Sequence, residues 1–236
     1  MLTDNIRKQM KSAKIAILGG SFNPPTIAHM EMGRKILMDK YAEKLIYIPC
    51  GSRSDKVDLV EGHHRIKMLI LNIASYFHIA PRLIQSDDFK LLHSKDKILI
   101  DDFELRVHKK LLPTALLFQH YERTYPNIRF LFVMGSDLLE SITQWELYDE
   151  VLKSREYLIF KRDDYDIKDN SILPNSQVIT DPNLLWISST KVRNILEECQ
   201  GDFKESCNQR MADLTKYVNK DVLEYIISHK LYFADS

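Results

Sequence analysis

"AILGGSFNPPTIAHMEMGRKIL" spans residues 16–37 and carries the most decisive local pattern in the chain. An apolar run suited to a buried strand, "KIAIL" (14–18), leads into Gly19 and Gly20. Ser21, Phe22 and an Asn23-Pro24-Pro25 turn follow, and from residue 27 the pattern becomes helical. In a doubly wound sheet, ligands bind at the carboxyl ends of the strands, near the point where strand order reverses. The loop after the first strand usually lies there. Gly19 and Gly20 let backbone approach a ligand and permit positive φ. N–H groups exposed in such a loop, with a helix N-terminus behind them, make an anion site. Asn23-Pro24-Pro25 fixes the turn and keeps the helix from starting early. His29 falls about one turn into that helix, facing the loop, where an imidazole can donate to a phosphate oxygen and stabilise developing charge. The stretch is not GxGxxG, since Asn23 stands where the third glycine would be, and it is not a P-loop, since no GK[ST] follows. A tight Gly-Gly turn beside an ordinary surface histidine is the alternative that this stretch alone leaves open.

Outward from this loop, short apolar runs alternate with helical ones. Strands are expected at 44–49 ("KLIYIP"), 78–84 ("HIAPRLI", broken by Pro81), 128–135 ("IRFLFVMG"), 156–161 and 176–180. Helices are expected at 27–41, at 63–77, after Pro113, around 145–153, and at 189–199 and 220–229. Strands alternating with helices of this length predict an α/β fold: a Rossmann-like, doubly wound parallel sheet covered on both faces, with a C-terminal helical segment. The organisation expected is one domain over residues 1–236, with a leader at 1–13, an irregular insertion at 85–112 and a helical part at 189–236.

Composition narrows the partners. The chain has 236 residues, 44% of them hydrophobic, which is enough for a sizeable core. Lys+Arg and Asp+Glu both number 33, so there is no basic excess of the kind that grips long nucleic acids. A small anionic ligand held by a few placed cations fits better. No apolar run approaches the roughly 20 residues that span a bilayer, and "MLTDNIRKQMKSAK" lacks the apolar centre of a signal peptide. Cys50, Cys199 and Cys207 have no metal-like CxxC spacing and read as free thiols in a reducing compartment. The expectation is a cytoplasmic or nuclear protein, not secreted, bound to neither nucleic acid nor membrane.

A second motif lies most of a chain length from the first: "ISSTKVR" (187–193). Ser188, Ser189 and Thr190 sit at a helix start, where free N–H groups and the helix dipole favour anions. Arg193, four residues beyond Ser189, shares their helical face. Hydroxyls, amides and a guanidinium therefore converge on one spot, which suits a triphosphate. A capped helix with a surface arginine is the plainer reading of this motif by itself. Two phosphate motifs, each at an expected helix start, make coincidence a poor account of both.

"GGSFNPPTIAH" resembles the GxFxPx[HT]xxH signature of the nucleotidylyltransferase superfamily, and "ISSTKVR" looks like the ISSTxxR signature of the same enzymes. Further patches are similar to the nicotinamide/nicotinate mononucleotide adenylyltransferase family: "PCGSRSDKVDLVEGHHRIKM" (49–68), the stretch 112–145 with its strand ending in Gly-[AS]-Asp, "YLIFKRDD" and the closing segment 213–232. The resemblance implies adenylyl transfer from ATP to nicotinamide or nicotinate mononucleotide, giving NAD or its deamido form plus pyrophosphate. It assigns catalytic roles to His29, Arg193 and Lys56. It places Gly19, Gly20, Ser21, Phe22, Thr26, His29, Gly135, Asp137, Ser188, Ser189, Thr190 and Arg193 about ATP. Ser21, Phe22, Lys56, Trp145 and Arg162 would meet the mononucleotide, with Trp145 stacked on the pyridine ring and Trp186 competing for that role. Mg²⁺ would accompany ATP, with no dedicated carboxylate cage and no metal ligand in the chain, and self-association is a family habit. Ala28 departs from the glycine often found before the second histidine. A phosphopantetheine-type adenylyltransferase and a non-catalytic nucleotide-binding regulator on the same fold are the alternatives.

Overall fold

Ile15–Leu18 is buried along its whole length in the computed structural model, as the centre of strand β1 (Lys14–Gly20). The structure describes residues 14–52, 58–84, 96–108, 112–152, 155–162, 165, 167, 173–181, 188–199, 210 and 213–233. After β1 come α1 (Ile27–Met38), β2 (Lys44–Pro49) and α2 (Gly62–Phe77). Next are β3 (Ile98–Ile100), α3 (Thr114–Thr124), β4 (Arg129–Gly135), α4 (Tyr148–Leu152), β5 (Glu156–Phe160) and β6 (Ser176–Ile179). Helices α5 (Ser189–Glu198) and α6 (Lys220–Ser228) close the chain's described part.

The six strands form one sheet in the order β3-β2-β1-β4-β5-β6, and every neighbouring pair is parallel. Strand order reverses between β1 and β4, which puts a ligand crevice at the carboxyl ends of those two strands. Alternate side chains serve opposite faces. Ile15, Ile17, Ile46, Phe132 and Ile159 pack with Leu117, Phe118 and Tyr121 of α3. Ala16, Leu18, Leu45, Tyr47, Leu131 and Val133 pack on the other face with Met30 and Ile36 of α1 and Leu69 and Ile73 of α2. Burial on both faces explains why the strands read as near-continuous apolar runs. A third core joins Met68 of α2 to Val192 and Leu196 of α5 and to Val222, Leu223 and Ile226 of α6. The C-terminal helices are thereby anchored on α2.

Four readings of the sequence are corrected. Residues 78–84 are not a strand: His78 adopts φ 55 and ends α2, and Pro81 opens a 3-10 turn, Pro81–Leu83. The strand beside β2 is instead Ile98–Ile100, within the stretch expected to be irregular, and it is followed by one π-helical turn, Glu104–His108. Among the described residues of the expected 145–153 helix only 148–152 are α-helical, because two 3-10 turns, Ser136–Glu140 and Ile142–Gln144, and a left-handed Leu147 (φ 58) come first. Cys50 is a buried free thiol, but Cys199 is disulfide-bonded. Sequence spacing does not report approach in space, which is what decides such pairing. Cys207 lies outside the described residues.

Candidate active site

The loop from β1 to α1 is held from behind by its own carbonyl oxygens. Arg65 of α2 is almost wholly buried, and its guanidinium donates to Ser21 O at 2.9 Å, Cys50 O at 2.8 Å and Val60 O at 3.0 Å. It ties the loops after β1 and β2 to the start of α2. Asn72, two turns further along the same face of α2, donates to Thr26 O at 3.3 Å. From the C-terminal side, Arg193 donates to Asn23 O at 2.9 Å and Ser189 Oγ to Pro24 O at 2.8 Å. The two motifs that are far apart in sequence thus touch directly. Carbonyl oxygens repel phosphate, and four of them in this loop are engaged by the protein.

The glycines act differently from the sequence expectation. Gly19 and Gly20 belong to β1, and the left-handed residue of the loop is Phe22, at φ 47. Gly20 is needed for space: a Cβ there would meet the Phe22 ring at 3.2–3.3 Å. Phe22 is buried, with its ring edge-on to His29 (5.1 Å between centroids) and to Tyr47 (5.9 Å). The Asn23–Pro24 peptide is cis.

Thr26 is the N-cap of α1, and His29 folds back onto it. The Thr26 N–H donates to His29 Nδ1 at 3.0 Å, and Thr26 Oγ1 lies 2.8 Å from the same nitrogen. Since Nδ1 accepts, the neutral ring carries its proton on Nε2. Burial, and then the nearby Arg162 guanidinium, lower the His29 pKa to about 4. At neutral pH His29 offers an N–H donor, not a cation.

Across the switch point, β4 ends at Gly135, and Asp137 lies in the first turn beyond it. Arg162, just past β5, donates to Asp137 Oδ2 at 3.0 Å, and its backbone N–H donates to Ser136 Oγ at 2.9 Å. A Cβ at Gly135 would strike the Asp137 carboxylate. Ser188 is the N-cap of α5, accepting from Lys191 N at 3.2 Å, and Arg193 Nη2 reaches Thr190 Oγ1 at 3.4 Å. The site therefore gathers a donor-rich loop, a neutral histidine, two arginines, an acid at a strand end and a capped helix start. This equipment suits a nucleotide with a charged phosphate chain.

The cytidylyltransferase-like family model matches residues 17–195, from β1 through Arg193. The chain belongs to this family. A curated relative from Clostridium botulinum (strain Okra / Type B1), named "Probable nicotinate-nucleotide adenylyltransferase", is 24% identical over 226 residues, covering 92% of this chain and 98% of that protein. A relative of the same name from Lactococcus lactis subsp. lactis is 26% identical, covering 93% of this chain and 95% of that protein. Plasmodium falciparum nicotinic acid mononucleotide adenylyltransferase complexed with NaAD superposes with a TM-score of 0.75 at 28% identity, over 93% of this chain and 97% of the other. The same protein complexed with APC gives 0.71 at 26% identity, with the same coverage.

Family membership agrees with where the motif residues sit. Gly19 through His29 and Ser188 through Arg193 converge, and Gly135, Asp137 and Arg162 face them across the switch point. Trp145 ends the second 3-10 turn after β4 and is half-buried against the core on the α3 face. Lys56 and Trp186 lie outside the described residues. Sequence reasoning missed the roles of Asn23 and Arg65 as hubs. It also missed Glu104, a buried acid that accepts from Gly51 N at 3.0 Å and Leu112 N at 3.3 Å and so fixes the chain after β2.

Proposed function

We propose that the chain transfers the adenylyl group of ATP to nicotinate mononucleotide, or to its nicotinamide counterpart, as a step in NAD biosynthesis. The observation that carries this reading is the junction of the two phosphate motifs, Arg193 on Asn23 O and Ser189 on Pro24 O, at the reversal of strand order. The names of the relatives favour nicotinate as the acceptor.

In the reaction a 5′-phosphate oxygen of the mononucleotide attacks the α-phosphorus of ATP in line. The Pα–O–Pβ bond breaks, and pyrophosphate leaves with the electron pair. A phosphate is already a competent nucleophile, so positioning and charge stabilisation supply the catalysis. His29 Nε2–H donates to the phosphate chain where charge builds, and Arg193 supplies the cation beside it. Lys56 is assigned the same task from the β2 side. Asp137 accepts from the ATP ribose, Trp145 stacks on the pyridine ring, and Arg162 meets the mononucleotide. Mg²⁺ enters with ATP as part of that substrate. As is common for magnesium, phosphate oxygens and water would hold it.

The direct test incubates the protein with MgATP and each mononucleotide and assays pyrophosphate and dinucleotide. Formation of both products is expected. Pyrophosphate release with a pantetheine phosphate and with neither mononucleotide would replace this reading by the phosphopantetheine-type reaction.

A further inference from the structure

Asn23 is buried in the turn between the two phosphate motifs, and its side chain makes three hydrogen bonds. Its Nδ2 donates to Asp58 O at 2.9 Å, and its Oδ1 accepts from Val60 N at 3.3 Å and from the Tyr232 hydroxyl at 2.8 Å. Tyr232 lies just beyond α6, more than two hundred residues along the chain from Asn23 and outside the segment that the family model matches. A further tie comes from Tyr217, between α5 and α6. Tyr217 O accepts from the Ile27 N–H at 2.8 Å, at the first residue of α1. Tyr232 is itself at φ 65, and neighbouring Leu231 is packed into the third core, so the position of the hydroxyl is set by the seating of α6 on α2.

We propose that Tyr232 is a positioning residue for the nucleotide site: its hydroxyl fixes the Asn23 side chain, and Asn23 in turn presents its backbone carbonyl to Arg193. Through this link the C-terminal helices set the geometry of the phosphate loop. The inference rests on the adenylyltransferase reading above. A phenol hydroxyl on an amide oxygen does no chemistry on the substrate. Its contribution is to hold one arrangement of a loop that must aim several donors at once, and small misplacements of such groups cost rate. Because Arg193 bonds to Asn23 O and not to the side chain, loss of the Tyr232 bond acts on Arg193 only through the loop.

Tyr232→Phe keeps the ring and removes the hydroxyl. The expected result is a kcat/KM for MgATP about three- to tenfold lower, the scale of one lost hydrogen bond, with KM for the mononucleotide unchanged. In an Asn23→Ala background the same change should have an effect below about twofold, since the partner is gone. A Tyr232→Phe protein whose Tm falls while kcat/KM for MgATP stays at the wild-type value overturns the proposal. An equal effect of Tyr232→Phe in both backgrounds does so as well. If the wild-type protein forms no dinucleotide, the adenylyltransferase reading is what fails. The positioning claim is then decided by calorimetric Kd for MgATP, expected to be about three- to tenfold weaker in Tyr232→Phe, and an unchanged Kd overturns it.

Discussion

His29 joins three functions in one ring: it caps α1 through Nδ1, packs edge-on against Phe22, and presents Nε2–H to the site. In the proposed reaction, replacing it with alanine removes a charge-stabilising donor, and kcat should fall about 10²- to 10³-fold with a modest change in mononucleotide KM. Steady-state kinetics on both substrates check this. The same ring makes stability depend on pH. Its pKa drops from 6.5 in the unfolded chain to about 4 in the fold, so between these values the unfolded state binds the proton and the native state does not. The stabilisation is present above about pH 6.5 and is lost as pH falls towards 4, on the order of 2–3 kcal/mol. Urea titrations across that window should show a smaller acid-side loss in His29→Asn than in the wild-type protein. Arg65 illustrates what a sequence hides at this scale. Its partners Ser21, Cys50 and Val60 all contribute main-chain carbonyls, and a carbonyl has no residue-type signature.

Elements were legible where local chemistry punctuates them. Glycines and prolines bracket the β1–α1 loop, so strand, turn and helix could each be placed. Ile98–Ile100 could not, because three apolar residues carry no period and only the edge of β2 makes them a strand. The run 78–84 misled for the opposite reason: it is apolar enough for a strand, but a left-handed His78 has already turned the chain. The 3-10 segment after β4 has a predicted task of its own. Trp145→Leu should raise mononucleotide KM roughly tenfold, for a stacking loss near 1–1.5 kcal/mol, and leave KM for ATP almost unchanged. At the start of α5, Ser188→Ala removes an N-cap and should lower stability by about 1 kcal/mol, read from the urea midpoint.

On the scale of the whole molecule, the site is a property of topology. Parallel order 3-2-1-4-5-6 brings the ends of β1 and β4 together, and the third core lays α5 and α6 over α2 so that Ser189, Arg193 and Tyr232 all reach the same loop. The sequence pattern announced the parallel sheet, and the two motifs it singled out meet beside the β1–β4 crevice. The seating of the C-terminal helices was not readable, since Met68, Val192 and Ile226 meet only in three dimensions. Ile226 is wholly buried there, and Ile226→Ala should cost about 2–4 kcal/mol in stability. Because that core positions the loop, kcat/KM for MgATP should fall with it even where the variant is still folded. The central claim, adenylyl transfer at the β1–β4 crevice, is tested most directly by following pyrophosphate and dinucleotide together with MgATP and nicotinate mononucleotide, for wild type and His29→Ala side by side. Equal amounts of the two products from the wild type, and a rate at least about 10²-fold lower in the variant, are the predicted result. No dinucleotide from the wild type, or equal rates in the two proteins, would contradict it.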